Sequence, residues 1–172
     1  MPIRGKIIGA VFVVALTTAV VGVHAATRMP NPAALLAPNA HCGQTTDIGT
    51  MLCYHNYARV QDGLKPLTID TRLTAFGTRK LALIVKCGAF THSPCGADAF
   101  AGFPAGFSAA GENLVYWEPT GTVRQQMTTW LHSPDHLENI VSANYTRVGF
   151  AVYDGPAFGY PEVRMWIADF GS

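Results

Sequence analysis

The order of the predicted elements indicates an α+β domain built around an antiparallel sheet. Helical periodicity dominates the chain from about residue 47 to residue 87. Alternating apolar residues predict two strands near the carboxyl end, in "RVGFAVYD" and "VRMWIADF". Helices that come first, strands that come last and a mixed middle are typical of an α+β layer protein.

The amino-terminal residues 1–25 have the pattern of a secretory signal peptide. Arg4 and Lys6 precede an uncharged apolar run that ends at Val23, and "VHA" predicts cleavage after Ala25. A retained membrane anchor is the alternative, because about 17 apolar residues approach the lower limit for a bilayer span. Cleavage is favoured because small residues follow at once and no stop-transfer flank is present. We therefore expect contact with the membrane only transiently, through this segment.

The rest of the chain has the size of one domain. Residues 26–46 contain three prolines and few charges, so we expect a flexible, mostly unstructured lead-in. Residues 47–172 would form the domain, in a secreted monomer. Without Arg4 and Lys6, ten of the 12 basic residues remain against 11 acidic ones, and the formal charge becomes −1. No basic cluster or run of like charges predicts a nucleic-acid or tail function.

Four cysteines remain after cleavage, at positions 42, 53, 87 and 95. An even number in an exported protein indicates two disulfides, and three pairings are possible. We favour Cys42 with Cys53 and Cys87 with Cys95, because both loops are then short. A zinc site built from cysteines is less favoured, since no C-x-x-C spacing occurs.

Two helices open the domain. The first is predicted at about residues 47–61, with a stripe formed by Met51 or Leu52, Tyr54 or His55, and Ala58. The second begins at Asp70, a good N-cap, and ends at Cys87 before Gly88. Its buried side is marked by Leu73, Phe76, Leu81, Ile84 and the stem of Lys80. His55 is expected to hydrogen-bond in or beside the core, and Asn56 and Arg59 are expected to brace the fold.

The middle of the chain is less regular. The stretch from Cys87 to Ala110 lacks periodicity, and we expect its phenylalanines to anchor it to the core. Residues 112–117 predict a short strand. Thr120 or Thr122 is expected to cap a third helix that reaches about His132, and "GPAFGYP" has the composition of a hairpin loop.

The segment "WLHSPDH" contains two histidines, His132 and His136, at metal-ligand spacing. Pro134 is incompatible with a continuous helix across this segment. Ser133 is a favoured N-cap, and proline suits the first position of a new helix. We therefore expect His132 to end one helix and His136 to lie in the first turn of the next. There the neighbouring N–H groups favour a neutral ring, which is able to bind a metal or act as a base.

Five segments, in order and in register, resemble the CAP superfamily. They are "HNYARVQDGLKPLTID", "FTHSPCG", "AAGENLVYW", "WLHSPDHLENI" and "YTRVGFAVY". The superfamily comprises the cysteine-rich secretory, antigen 5 and class-one pathogenesis-related proteins, also called SCP-domain proteins. The likeness covers about residues 47–170 and is closest to the short bacterial branch, in which a histidine precedes "GEN" by about twenty residues.

The resemblance implies a three-layer α-β-α sandwich with a central cleft. It also implies that His92, Glu112 and His136 line this cleft, and that His92 and His136 are candidate ligands for Zn²⁺ or another divalent ion. Two neutral imidazoles and a carboxylate suit Zn²⁺ and also general acid–base chemistry. One departure from the family is Ser133, which stands where the eukaryotic branch has a second cleft glutamate. The spacing does not support His132 or Glu138 as its replacement.

A ligand-binding role, with or without a divalent ion, is favoured over catalysis. The ligand would be a small molecule, a lipid or a component of the cell envelope. The first alternative is a hydrolase of peptides or envelope material, for which no nucleophile motif is present. The second is a carrier of lipids or sterols, in which the loop from Phe100 to Phe107 would shape an apolar slot.

Overall fold

This computed structural model describes residues 29–37, 40–44, 46–117 and 121–172. The predicted signal peptide, residues 1–25, lies outside them, as does the retained-anchor alternative. Within the described ranges, no helix is both long and apolar enough to cross a membrane.

The elements follow the predicted order. The α-helices are α1 (Pro32–Leu35), α2 (Asp47–Gln61), α3 (Thr71–Cys87), α4 (Val123–Leu131) and α5 (Pro134–Ile140). The strands are β1 (Thr68–Ile69), β2 (Ala110–Trp117), β3 (Arg147–Ala157) and β4 (Tyr160–Gly171). A short 3₁₀ helix (Pro94–Gly96) lies between α3 and β2.

The four strands form one sheet between two layers of helices. Their spatial order is β1-β3-β4-β2, and β3, β4 and β2 are antiparallel. The short β1 pairs in parallel with β3, so the sheet is mixed at one edge. Helix α3 packs on one face, and α1, α2, α4 and α5 contribute to the core on the other. The predicted α+β, three-layer α-β-α sandwich is confirmed.

Side-chain caps explain where the helices begin. Thr46 accepts from the Gly49 backbone at the start of α2, and Asp70 accepts from the backbone of Arg72 at the start of α3. Thr122, one of the two predicted caps, begins α4 and forms a capping box with Gln125. Such caps satisfy backbone N–H groups that have no partner within the helix. The sequence therefore carries the local signals that set these boundaries.

The predicted break between His132 and His136 is present. Helix α4 ends before His132, and Pro134 is the first residue of α5. Ser133 has the extended backbone of an N-cap, although its side chain makes no capping hydrogen bond. The two histidines therefore do not share one helical face. The side chain of His132 is exposed and donates from Nδ1 to the carbonyl of Thr128, at 2.9 Å.

The loop predicted for "GPAFGYP" is shorter than expected. The two strands continue until Ala157 pairs with Tyr160, and only Phe158 and Gly159 form the turn. Both turn residues have positive φ, 55° and 85°, as a two-residue type I′ turn requires. The composition predicted the hairpin, but the glycine and proline content overstated the length of its loop.

The expectation of an unstructured lead-in is wrong for its described residues. Asn31 caps the short helix α1, and Leu35 and Leu36 are buried against the core beside α2 and α4. The disulfide between Cys42 and Cys53 joins this segment to α2. Burial of each leucine side chain contributes about 2 kcal/mol of hydrophobic free energy, which stabilises the folded segment. The sequence did not predict this order, because the proline-rich stretch has no periodic pattern.

The second disulfide joins Cys87 to Cys95, so the favoured pairing is confirmed for both bridges.

Beyond this disulfide, Phe100, Phe103 and Phe107 stack edge to face in sequence, and Phe103 packs against Phe76 of α3. The phenylalanines therefore anchor the irregular segment to α3, as the sequence predicts.

Two polar residues of α2 are buried as structural groups. Arg59 donates to four backbone carbonyls, those of Lys65, Ile140, Ser142 and Tyr145, at 2.8–3.0 Å. His55 is fully buried among Trp130, Phe150 and Phe170 and donates from Nδ1 to the carbonyl of Met51. Burial lowers the pKa of His55 to about 4, so its ring is neutral. Both residues belong to the core.

We expect Arg59→Met to lower the free energy of unfolding by about 3 kcal/mol or more, because four carbonyls lose a charged donor. Urea unfolding followed by circular dichroism measures the change. The matched control is Arg79→Met. Arg79 is exposed on α3 and makes no hydrogen bond or ion pair with the described residues. The control should change stability by no more than about 0.5 kcal/mol. Equal effects of the two substitutions would contradict the bracing role.

Candidate functional site

Glu112 lies on β2 and faces α3. Its neighbours on the same face of the strand, Leu114 and Tyr116, pack into the cluster formed with Leu81 and Ile84 of α3. Because side chains alternate along a strand, Glu112 points into the same layer. It is only 6% exposed. A buried carboxylate requires partners, and the structure supplies two.

Both oxygens of Glu112 are engaged. Lys80 of α3, itself 5% exposed, donates from Nζ to Oε2. The same ammonium donates to the carbonyl of Ala99 at 2.5 Å. On the other side, Oε1 lies 2.6 Å from Nδ1 of His92. The carboxylate is therefore held between a buried cation and an imidazole.

This contact determines how His92 presents its ring. A carboxylate only accepts hydrogen bonds, so Nδ1–H of His92 donates and Nε2 is the unprotonated atom of the neutral ring. The side chain is 51% exposed, which leaves this edge open to ligands. The loop that carries His92 is closed by the Cys87–Cys95 disulfide and by buried Pro94. The sequence around "FTHSPCG" thus holds a half-exposed histidine on a fixed support.

His136 is the third residue of α5 and is half-buried. Its Nδ1 is buried and has no hydrogen-bond partner among the described residues. Burial is the main cause that lowers its pKa, and the charge of the nearby His92 adds to it, while Asp135 opposes. The neutral ring matches the sequence prediction. The main cause is burial, however, rather than the N–H groups of the first helical turn.

Three polar side chains connect α5 to β2, and this connection positions His136. Asn113 donates to the carbonyl of His136 at 2.9 Å. Asn139 donates to Oδ1 of Asn113 at 2.9 Å, and the hydroxyl of Tyr145 lies 3.4 Å from Oδ1 of Asn139. Gly111 leaves space for the Tyr145 ring, because a Cβ there would collide with its hydroxyl. "GEN", "HLENI" and "NYTRVG" therefore form one network.

Asp169 is a buried carboxyl group beside Glu112 that the sequence analysis did not single out as a site residue. The two residues are cross-strand partners in β2 and β4, and Asp169 is fully buried. Burial, and then the charge of Glu112, raise the pKa of Asp169 to about 9, while Lys80 opposes. The carboxyl group of Asp169 is therefore protonated at neutral pH and is able to donate a hydrogen bond towards Glu112. Its two oxygens have no donor among the described residues.

Sequence signals for Lys80 and Asp169 exist but are weak. Lys80 falls on the predicted buried side of its helix, where only its stem was expected to matter. Asp169 continues the alternation of Val163, Met165 and Ile167, so its burial follows from the period of two. Their contacts with Glu112 depend on tertiary packing, which neither pattern encodes.

The donor set falls short of a zinc centre. In the described ranges, no group of three or more histidine, cysteine, aspartate or glutamate side chains is arranged to hold a metal ion. His92 and His136 are two imidazoles, whereas catalytic zinc sites use three protein ligands and structural sites four. Glu112 is occupied by Lys80 and His92, and Asp169 is a neutral acid. Ser133 adds no carboxylate. The residues present therefore do not fit a resident Zn²⁺ ion.

Three cavities of the described residues lie near the elements that carry the site. A cavity of about 620 Å³ lies between the lead-in and the α4–α5 junction, and one of about 500 Å³ lies beside α4. A third, of about 240 Å³, lies between α3 and the loop near Ala99 and shares Lys80 with the site. His92, Glu112 and His136 line none of these three cavities.

We expect His136 to titrate below the ordinary histidine value of 6.5. Its neutral form is favoured in the folded protein, so its stabilising contribution is complete above 6.5 and is lost as the pH falls through the lowered pKa. NMR titration of the imidazole resonances measures the midpoint. In His92→Gln the midpoint should rise towards 6.5 but remain below it, because burial is the larger cause. A midpoint at or above 6.5 in the unmodified protein would contradict the burial of this ring.

Comparison with known proteins agrees with this fold and these motifs. Residues 52–170 match the model of the Cysteine-rich secretory protein family, CAP. The chain is 31% identical over 98 residues to the uncharacterized protein YkwD of Bacillus subtilis, a match that covers 55% of this chain and 37% of that protein. The chain therefore aligns with little more than a third of that relative.

Solved structures show the same fold at low sequence identity. An outer surface protein from Borrelia burgdorferi superposes with a TM-score of 0.59 at 18% identity, over 73% of this chain and 92% of that one. An extracellular protein containing an SCP domain from Bacillus anthracis gives 0.61 at 20% identity, over 73% of this chain and 40% of that one. The family match spans more than half of the sequence, and its motifs meet at one site. This chain belongs to the cysteine-rich secretory protein family, the CAP family.

Proposed function

We propose that this chain is an exported CAP-domain protein that binds a small ligand at the site formed by His92, Glu112 and His136. The observation that carries the proposal is the pair of neighbouring imidazoles. His92 is half-exposed and held by Glu112, and His136 beside it is half-buried with a lowered pKa. Imidazole nitrogens bind ligands by accepting or donating hydrogen bonds.

The chemistry of the site favours a ligand that donates hydrogen bonds. When the ring of His92 is neutral, its Nε2 is an acceptor, since its Nδ1–H is directed at Glu112. The charge of Glu112 is balanced by Lys80, and Asp169 is neutral, so the floor of the site has no net charge. A neutral or anionic ligand, such as a small molecule or a fragment of the cell envelope, would not be repelled.

A divalent ion is compatible with this function only if it binds together with the ligand or with water. It would be held by His92 and His136, and the bound ligand or water would fill its remaining positions.

Hydrolysis has less support than binding. An activated water requires a metal centre or a free carboxylate, and both oxygens of Glu112 already have partners. Lipid carriage is favoured by one observation, the apolar cavity lined by Phe76, Leu83 and Pro94. Its volume of about 240 Å³ lies below the roughly 300 Å³ at which sites for drug-sized ligands begin. A small ligand at the histidines remains the better interpretation.

Export is part of the proposal. Two disulfides are typical of proteins outside the cytoplasm. The predicted signal peptide agrees with this location. Two of the solved proteins with this fold are described as an outer surface protein and an extracellular protein.

The test uses Zn²⁺ as a probe of whether the two imidazoles face a common point. Calorimetric titration of the metal-free protein should show one weak site. His92→Ala or His136→Ala should lower its affinity by about tenfold or more, because a ligand is lost. The matched control is His132→Ala, since His132 is an exposed histidine that contacts Thr128 instead. This control should bind Zn²⁺ like the unmodified protein, and equal binding by all four proteins would refute a shared site.

A further inference from the structure

The ammonium of Lys80 already occupies a cation position at Glu112. It donates to Oε2 of Glu112 and to the carbonyl of Ala99. It also lies 5.6 Å from the ring centres of both Phe76 and Phe100. A carboxylate, a carbonyl and two aromatic faces all attract a positive charge. Together they form a cage around a buried cation that belongs to the chain.

The charges of this buried cluster are balanced by one cation. Lys80 offsets Glu112, and Asp169, the cross-strand partner of Glu112, is a neutral acid. A divalent ion added at Glu112 would leave excess positive charge in a region that excludes water, which is costly. Displacement of Lys80 would instead leave its ammonium buried without its anion. Both routes oppose a metal ion at Glu112.

Close packing of α3 on the sheet fixes this arrangement. Gly77 lies one helical turn before Lys80, and a Cβ at Gly77 would be 2.7 Å from Oδ2 of Asp169. Gly149 on β3 likewise permits close approach, because a Cβ there would collide with the backbone at Leu73 and Thr74. The two glycines let α3 approach the sheet closely enough for Lys80 to reach Glu112.

From this geometry we propose that Lys80 is the resident cation of the site and takes the place that a metal ion would take at Glu112. Lys80 is then a positioning residue that orients Glu112 towards His92. The site would recognise its ligand through Nε2 of His92 without a metal. This inference rests on the proposed ligand site, which it deepens by naming metal-independent recognition of hydrogen-bond donors.

The first experiment compares Zn²⁺ affinities of four proteins by calorimetry: unmodified, Glu112→Gln, Lys80→Met and the double variant. The unmodified protein and Glu112→Gln should agree within about twofold, because Glu112 is not a ligand and the amide oxygen of glutamine still accepts from Nδ1–H of His92. Lys80→Met should bind Zn²⁺ about tenfold more tightly, because the buried carboxylate of Glu112 then lacks its cation and attracts the ion. The double variant should lose that gain. A large loss in Glu112→Gln alone, or no gain in Lys80→Met, would overturn the inference.

Two controls separate this role from a structural one. Lys80→Arg keeps the cation and should bind Zn²⁺ like the unmodified protein, whereas loss of packing alone would not raise affinity in Lys80→Met. If the substituted proteins do not fold, crystals of the unmodified protein soaked with Zn²⁺ still decide the matter. A zinc ion bound to Glu112 with Lys80 displaced would refute the proposal, and an ion away from Glu112 would support it. Failure of the ligand site itself would instead appear as indifference to His92→Ala and His136→Ala.

Discussion

The ion pair between Lys80 and Glu112 connects the helix α3 to the edge strand β2 in the interior of the protein, and the candidate site depends on it. Loss of one partner of a buried pair typically costs about 3–5 kcal/mol, because the other charge is left without compensation. Glu112 is therefore constrained both in charge and in direction. That constraint reaches the surface through His92, whose Nδ1–H must point inwards to the carboxylate. The exposed edge of this ring is then its hydrogen-bond acceptor.

The two halves of the site are supported from opposite faces of the same sheet. Glu112 faces α3 and holds His92, whereas the next residue, Asn113, faces α5 and holds the backbone of His136. This division follows from the alternation of side chains along β2. The "GEN" motif thus joins two layers of the sandwich. The disulfide Cys87–Cys95 limits the motion of the loop that carries His92, so both imidazoles are presented from fixed supports.

Local signals explain how much of this structure the sequence predicted. Asp70, Gly88 and Thr122 mark helix ends through caps and turn geometry, and Ser133-Pro134 separates the two histidines of "WLHSPDH". These features depend on residues within one turn of each other. The pairing of cysteines that are close in sequence is similarly local, as is the alternation of apolar residues along the last two strands. The resemblance to the CAP family is the reason that His92, Glu112 and His136 were predicted to form one site. Their spacing along the chain does not indicate it.

Features that depend on distant contacts were missed for a common physical reason. Leu35 and Leu36 are buried by contacts with α2 and α4. A proline-rich segment has no periodic pattern from which this burial could be predicted. The ammonium of Lys80 and the carboxyl of Asp169 meet Glu112 only after α3 has packed on the sheet. Their patterns indicate burial but not partners. The neutral state of His136 was predicted, yet its main cause is the tertiary packing around the ring.

The tautomer of His92 in the metal-free protein tests this account most directly. Long-range ¹H–¹⁵N correlation spectra at neutral pH distinguish a protonated Nδ1 from a protonated Nε2. The arrangement of Lys80, Glu112 and His92 predicts that the neutral ring carries its proton on Nδ1. A neutral ring protonated on Nε2 would show that Glu112 does not hold His92 and would contradict the account.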